Sequence, residues 1–418
     1  MPTVRRLLAS ARRDGPLLAA CVALVVFGIV LRTVDLGFPH GLSWDEHHFV
    51  VNARNYLHRE HDWNDHPPLG KLLLSLGFLA FGDTSVGWRA VPVVFGLANI
   101  VLSRALAAFL FRDRRAGWIA AAFAAADGFL IAYSRTALLD GMLTTFVLAT
   151  AWCALRARVP RHFALVGLLI GAAASIKMSG FSLGLPALLL CLRARRPIAC
   201  AATLVLAPVL YVLQFSLGLW IAREPHTPWD AISKTLWLIA QARGANQFTH
   251  PLTSHWYTWF LPTRPIMLRY DAVGPGRVRV MTSLGNLLLW WSAAPVLVAG
   301  AVASVRSSYE IFRARRFDVQ LGRTRRALAA LFAFALSMLL LWFTGARDSY
   351  IYHYLPTYAL LLVATAGLVS RLYRRSRLPA LVFVLAVGVV SCYYAPVWGQ
   401  LELSTGAFRA RLFLPFWR

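Results

Sequence analysis

Trp44-Asp45-Glu46-His47-His48-Phe49, followed closely by Asp65-His66-Pro67-Pro68-Leu69-Gly70-Lys71, decides how this chain reads. The segment comes directly after an apolar run, Leu17 to Leu31, that suits a first membrane span. The whole chain has only 18 Asp and Glu, and five of them (Asp45, Glu46, Glu60, Asp62, Asp65) fall here. Five of the 11 His join them: His47, His48, His58, His61 and His66. Packing gives a membrane protein no reason to gather scarce acids in one loop. Carboxylates and imidazoles beside a bilayer are what proton transfer on a lipid-borne substrate needs.

Composition supports the membrane reading. Hydrophobic residues make up 58% of the 418 and charged residues only 15%, as in polytopic membrane proteins. A net charge of +25 would suggest nucleic acid in a soluble protein. Its placement argues otherwise. Arg clusters recur between alternate apolar runs: Arg5 to Arg13, Arg112 to Arg115, Arg156 to Arg161, Arg193 to Arg196, Arg306 to Arg326 and Arg371 to Arg377. They hold more than half of the 43 Lys and Arg. This is the positive-inside signature, so these loops face the cytoplasm and nucleic acid is not a partner. The basic Met1 to Arg13 segment has no small-residue cleavage site after it, and more spans follow, so it reads as the approach to a span. The five cysteines lie in or beside apolar runs without metal-type spacing and read as small apolar side chains.

With the Arg clusters inside, eleven spans alternate consistently: 17–34, 88–111, 116–133, 138–155, 163–176, 180–192, 198–220, 283–304, 327–344, 355–370 and 379–396. The expectation is an all-α polytopic protein, residues 1–418 forming a single membrane domain of the cell membrane. Its amino terminus is cytoplasmic and its carboxyl terminus outside. Two outer loops are large, 35–87 and 221–282. In the first, Phe49, Ala53, Tyr56 and Leu57 share a helical face, predicting an amphipathic interfacial helix. Leu69 to Phe81 is too short to cross; Pro67 and Pro68 open it and Gly82-Asp83 close it, so it reads as re-entrant or interfacial. The second loop is rich in aromatics, Trp229, Trp237, Trp256 and Trp259 among them, which suit an interface belt or stacking on sugar faces.

Several residues could carry chemistry, each with a plainer alternative. Asp45 stands where a helix N-cap would stand. The neighbouring Glu46 makes the pair repel, which favours base behaviour. The His and Asp residues from His58 to His66 are where a divalent cation would find ligands, at spacings that match no tight metal signature. His66-Pro67-Pro68 also sets the chain direction into the next helix. Arg135 either snorkels to the interface or clamps a phosphate with its forked donors. Asp140 falls in the first turn of a span, where the helix dipole favours an acid. Asp127 sits inside an Ala-rich span and is a functional or buried-pair candidate. Arg135, Lys177 and Arg347 all lie on the outer side, against the charge trend, and a bound anion would explain them. Arg264 and Arg269 add to that set.

These motifs resemble the protein O-mannosyltransferases, membrane glycosyltransferases of the GT-C type. The resemblance runs through Trp44-Asp45-Glu46-His47-His48-Phe49, His66-Pro67-Pro68-Leu69-Gly70-Lys71, Gly87-Trp88-Arg89, Ser134-Arg135 and Leu138-Leu139-Asp140. It continues in Trp256-Tyr257-Thr258-Trp259, Arg264-Pro265-Ile266, Gly285-Asn286 through Trp291, and Tyr352-His353-Tyr354-Leu355-Pro356. It implies an inverting transfer of mannose from a polyprenyl-phosphate mannose to Ser or Thr hydroxyls of a protein or peptide on the outer face. By carry-over, Asp45 is the catalytic acid with Glu46 beside it. Arg135 contacts the donor phosphate, with Lys177 and Arg347. His66, Lys71, Asp140, Trp256, Trp259, Arg264 and His353 become substrate-site candidates. Eukaryotic members carry a β-trefoil insert in the second outer loop, for which 221–282 is too short, so the resemblance is to a bacterial-like member.

Two rivals remain. A GT-C transferase could move another sugar to a lipid or glycan acceptor, as a lipid A aminoarabinose transferase does. A polyprenyl-lipid transporter would do no chemistry; transporters show internal repeats and midplane charges, whereas here the acids gather in an outer loop and no repeat is seen.

Overall fold

The computed structural model describes residues 2–43, 45–62, 66–193, 197–244, 251–314, 321–343 and 349–417. Among the described residues, sixteen α-helices run in chain order: α1 (Pro2–Thr33), α2 (Glu46–His58), α3 (Leu69–Phe81), α4 (Ser85–Phe111), α5 (Arg114–Ala126), α6 (Gly128–Ala132), α7 (Asp140–Arg156), α8 (Pro160–Ile176), α9 (Gly184–Arg193), α10 (Pro197–Ile221), α11 (Pro228–Gly244), α12 (Leu287–Ala314), α13 (Arg323–Leu340), α14 (Leu355–Arg375), α15 (Arg377–Gly399) and α16 (Thr405–Arg411). Every expected span has a helix. Among the described residues, six helical stretches are long and apolar enough to cross a bilayer, in α1, α4, α10, α12, α14 and α15. The protein is a multi-pass membrane protein of mostly helical GT-C architecture.

Helix α14 is the central post. Nearly every residue from Leu355 to Val369 is buried, and α5, α7, α12, α13 and α15 pack around it. Ala-rich α5 is buried from Ile119 to Ala126, its small side chains allowing α1, α4 and α14 to approach closely. Gly28 of α1 shows how close: a Cβ there would sit 2.0 Å from the Ala125 carbonyl oxygen.

Three features depart from the sequence expectations. The expected span 116–133 breaks at Asp127, whose carboxylate caps α6 by accepting from Leu130 N at 3.1 Å. Helix α2 buries more than its apolar face: Glu46, Asn52 and Asn55 are buried with Phe49, Ala53 and Tyr56, while Leu57 is exposed. The second loop adds a three-stranded antiparallel sheet, β1 (Met267–Gly274), β2 (Arg277–Thr282) and β3 (Glu402–Ser404), in the order β1-β2-β3. Strand β3 belongs to the carboxyl-terminal tail, so its pairing brings that tail to the second loop.

The two ends of the bundle are chemically distinct. At one end, Arg279 pairs with Asp35 at 2.8 Å and Arg269 donates to the Leu42 carbonyl at 2.9 Å, joining the first and second loops. Trp417 Nε1 donates to the Pro262 carbonyl at 2.7 Å and adds the carboxyl-terminal tail. At the other end, Arg115 pairs with Asp14 and Arg325 with Glu310 among the Arg clusters.

Candidate active site

Residues on α2, α7, the α8–α9 turn and the segment before α14 meet at the loop-rich end. Asp45 holds the N-cap position of α2 but makes no side-chain cap hydrogen bond. It is half-buried, so the capping role that competes with chemistry is not exercised. Asp140 opens α7 and is buried. Lys177 ends α8 in extended backbone, φ −144°, so its side chain leaves the helix direction. Its Nζ donates to both carboxylate oxygens of Asp140, at 2.8 and 2.9 Å, and lies 5.0 Å above the Tyr352 ring. The Tyr133 hydroxyl stands on a ring 6.3 Å from that of Tyr352, and Ala137, farther along the same segment, donates its N–H to Glu46 beside Asp45. Among the described residues the buried Tyr133 hydroxyl has no hydrogen-bond partner. A buried donor is rarely left unmet.

Glu46 is placed differently from Asp45. It is wholly buried and accepts four hydrogen bonds: from Arg89 Nε and Nη2, each at 2.8 Å, from Ser43 N at 2.7 Å and from Ala137 N at 2.9 Å. Arg89 itself reaches the carbonyls of Pro39 and Gly41. The sequence suggested two neighbouring carboxylates repelling each other. In the structure Glu46 is neutralised and fully committed, which corrects that expectation. It fastens the first loop to α4 and to the turn before α7.

Arg135 is also committed. Its Nη1 donates to the Leu31 and Val34 carbonyls, the latter at 2.8 Å, so it caps the carboxyl end of α1. Arg32 does the converse from α1, donating to the Ala124 and Ala125 carbonyls at the end of α5, at 2.9 and 2.7 Å. Unpaired carbonyls at helix ends accept such donors. The structure therefore gives Arg135 helix-end partners where a phosphate clamp was expected.

The remaining candidates fall into two groups. Lys71 is buried on α3, bonded to the Asp62 carboxylate and to the His66 carbonyl at 2.7 Å. Tyr56 donates to the same carboxylate at 2.5 Å; burial first, and that negative neighbour second, hold its hydroxyl well above the usual tyrosine range. The His66 ring stacks on Phe49 at 5.7 Å. This cluster adjoins α10 through His61, which meets Glu224 at 2.5 Å. The second group is aromatic. Trp259 is wholly buried and its carbonyl accepts from Trp290 Nε1 at 2.8 Å, so it is core and not belt. Trp256 lies against Phe343 and His353 against Trp342, with ring centres 4.3 and 3.7 Å apart. Arg264 is exposed and bonds the Pro251 and Thr253 carbonyls. Asp65 and Arg347 lie outside the described residues. Among the described residues no three His, Cys, Asp or Glu side chains converge as metal ligands.

Two roles escaped sequence reading. Tyr133 carries no signal of its own in the sequence. Asp127 proves to be a junction, accepting from Asn286 N at 2.9 Å and Tyr358 Oη at 2.8 Å besides capping α6.

Family profiles match almost the whole chain in sequence. Two described as dolichyl-phosphate-mannose-protein mannosyltransferase match residues 22–83 and 65–220. One described as the C-terminal four-TMM region of protein-O-mannosyltransferase matches residues 229–417. The chain belongs to the protein O-mannosyltransferase family. A relative from Mycobacterium tuberculosis named polyprenol-phosphate-mannose–protein mannosyltransferase is 26% identical, covering 92% of this chain and 87% of its own. The fold is similar to the Saccharomyces cerevisiae protein O-mannosyltransferase Pmt1-Pmt2 complex bound to the sugar donor. That match has a TM-score of 0.78 at 12% identity and covers 96% of this chain and 92% of the yeast chain. ArnT from Cupriavidus metallidurans in the apo state is less similar: TM-score 0.58 and 17% identity over 86% of this chain and 61% of its own. For an O-mannosyltransferase, then, the loop-rich end described above is where family motifs and unmet polar groups coincide.

Proposed function

We propose that this protein transfers mannose from a polyprenyl-phosphate mannose to Ser or Thr hydroxyls of proteins on the outer side of the cell membrane. Family membership and the naming of the mycobacterial relative support the donor and the reaction. The observation that carries the site assignment is the buried Lys177–Asp140 pair beneath the Tyr352 ring, with the unmet Tyr133 hydroxyl on the neighbouring ring and half-buried Asp45 next to Glu46, which holds Ala137 N of the same turn.

Asp45 takes the proton from the acceptor hydroxyl. The hydroxyl oxygen then attacks C1 of mannose from the face opposite the phosphate, the C1–O bond to phosphate breaks, and polyprenyl phosphate leaves with its electron pair. The configuration at C1 inverts. A phosphate leaves readily while an alcohol attacks poorly, so the base contributes most, about 10²–10⁴-fold. Lys177, held by Asp140, and the Tyr133 hydroxyl face the charge that builds on the departing phosphate, the task for which preorganised donors are most effective. Glu46 and Arg135 act one step removed: they fix the first loop and the end of α1, on which the position of Asp45 depends.

The donor and the acceptor are tested together. Purified protein receives radiolabelled polyprenyl-phosphate mannose, a Ser/Thr-rich peptide and a glycolipid acceptor. Label on the peptide, released by β-elimination, supports the proposal. Label on the glycolipid alone would favour the lipid- or glycan-directed transferase, and label on neither would favour a transporter.

A further inference from the structure

The end opposite Asp45 holds a groove that the transfer reaction does not use. A cavity of about 600 Å³ lies between the ends of α4, α7 and α9 on one side and α12 and α13 on the other. Its wall is apolar, with Phe109, Leu155, Leu190 and Ile311. Small residues, Ser307, Ala330 and Ala333, give it depth. Its rim carries five arginines, Arg112, Arg158, Arg193, Arg323 and Arg326, all exposed, and among the described residues no Asp or Glu lines it.

Those arginines come from four separate connections. Arg112 closes α4, Arg158 stands between α7 and α8, Arg193 closes α9, and Arg323 and Arg326 belong to the first turn of α13. The orientation bias of membrane proteins asks for basic residues in loops on one side. It does not ask loops from four places to surround one cavity. Acids are present at this end but are spent elsewhere: Asp14 on Arg115, Glu310 on Arg325 and Asp113 on Arg374. Among the described residues, no ion pair takes up the five rim arginines. The apolar wall continues outward through Leu189, 54% exposed, toward the side of the bundle that faces lipid.

We propose that this groove binds an anionic glycerophospholipid of the adjacent leaflet, its phosphate between the rim arginines and its acyl chains along the Leu189–Leu190 wall. Guanidinium forks match phosphate oxygens two at a time. Basic pockets between membrane helices are the usual receptors for anionic headgroups. A zwitterionic lipid has the same chains but brings its own cation to five others, so it binds less well.

Native mass spectrometry of the full chain in neutral detergent tests this, with phosphatidylglycerol, phosphatidylcholine and inorganic phosphate as probes. Phosphatidylglycerol is expected to be retained at concentrations about tenfold or more below phosphatidylcholine. The double variant Arg193→Gln/Arg326→Gln is expected to weaken phosphatidylglycerol about tenfold while leaving phosphatidylcholine unchanged. If that variant does not fold, Arg158→Gln/Arg323→Gln makes the same test from other connections. Equal retention of the two lipids, or unchanged phosphatidylglycerol retention in a folded double variant, overturns the proposal. So does displacement of the lipid by millimolar inorganic phosphate, which would make the groove a free-anion site.

Discussion

Glu46 and Arg89 form a buried ion pair with two 2.8 Å arms, and the residue just before Glu46 is the half-buried Asp45. Two adjacent acids thus differ in setting: Glu46 is wholly buried and locked, and Asp45 is half-buried. The lock also takes Ser43 N and Ala137 N, so it ties both flanks of the site to one carboxylate.

Breaking that lock leaves a charge buried without its partner. Glu46→Ala or Arg89→Ala should each cost about 3–5 kcal/mol of stability, and a well-packed apolar double replacement should recover part of it. Thermal unfolding in detergent measures this. A Glu46→Ala protein as stable as wild type, but inactive, would return Glu46 to the reacting groups.

Arg135 caps the end of α1 and Arg32, on α1, caps the end of α5, so their variants should behave alike. Arg135→Lys keeps charge but loses the fork. It should lower the unfolding temperature while leaving the KM for donor unchanged. Gly28→Ala should loosen the same α1–α5 seam and cost about 1–3 kcal/mol, because its Cβ would meet the Ala125 carbonyl at 2.0 Å. A raised donor KM in Arg135→Lys at unchanged stability would instead make Arg135 a phosphate ligand.

Tyr133→Phe removes one hydroxyl from a ring that is otherwise packed. Stability should hold, while kcat falls about ten- to hundredfold, as expected for loss of a preorganised donor. Lys177→Met should raise the donor KM and spare the acceptor KM. Unchanged kinetics in Tyr133→Phe would leave that hydroxyl a packing residue only.

The proposed outward placement of Asp45 predicts a labelling pattern. In a Cys392→Ser background, Glu60→Cys and Ala272→Cys should react with a membrane-impermeant thiol reagent in intact cells. Arg313→Cys should react only after lysis. The reverse pattern would put Asp45 in the cytoplasm and separate it from exported acceptors.

Much of the fold could be read from local signals. Helix α3 spans Leu69–Phe81, where Pro67-Pro68 opens it and Gly82, at φ +74°, ends it. The turn at Lys177 likewise lies between two short apolar runs. What could not be read were choices of partner across long separations. Arg89 lies 43 residues from Glu46, and Arg135 104 residues from Leu31. A buried arginine looks the same in sequence whether it meets a phosphate or a helix end. Strand β3 was hidden for a similar reason: three residues carry almost no periodicity, and only β2 makes them a strand. Asp127 read as an ionisable group in a span because the break it caps leaves no Gly or Pro signature beyond Gly128.

The central claim is that Asp45 removes the acceptor proton, and Asp45→Asn tests it most directly. Asn keeps the size of the side chain and loses its basicity, and Asp45 makes no side-chain cap to disturb. Transfer of labelled mannose from polyprenyl-phosphate mannose to a Ser/Thr-rich peptide should fall at least about 10²-fold in Asp45→Asn, with donor binding and unfolding temperature retained. Turnover near that of wild type would contradict the account.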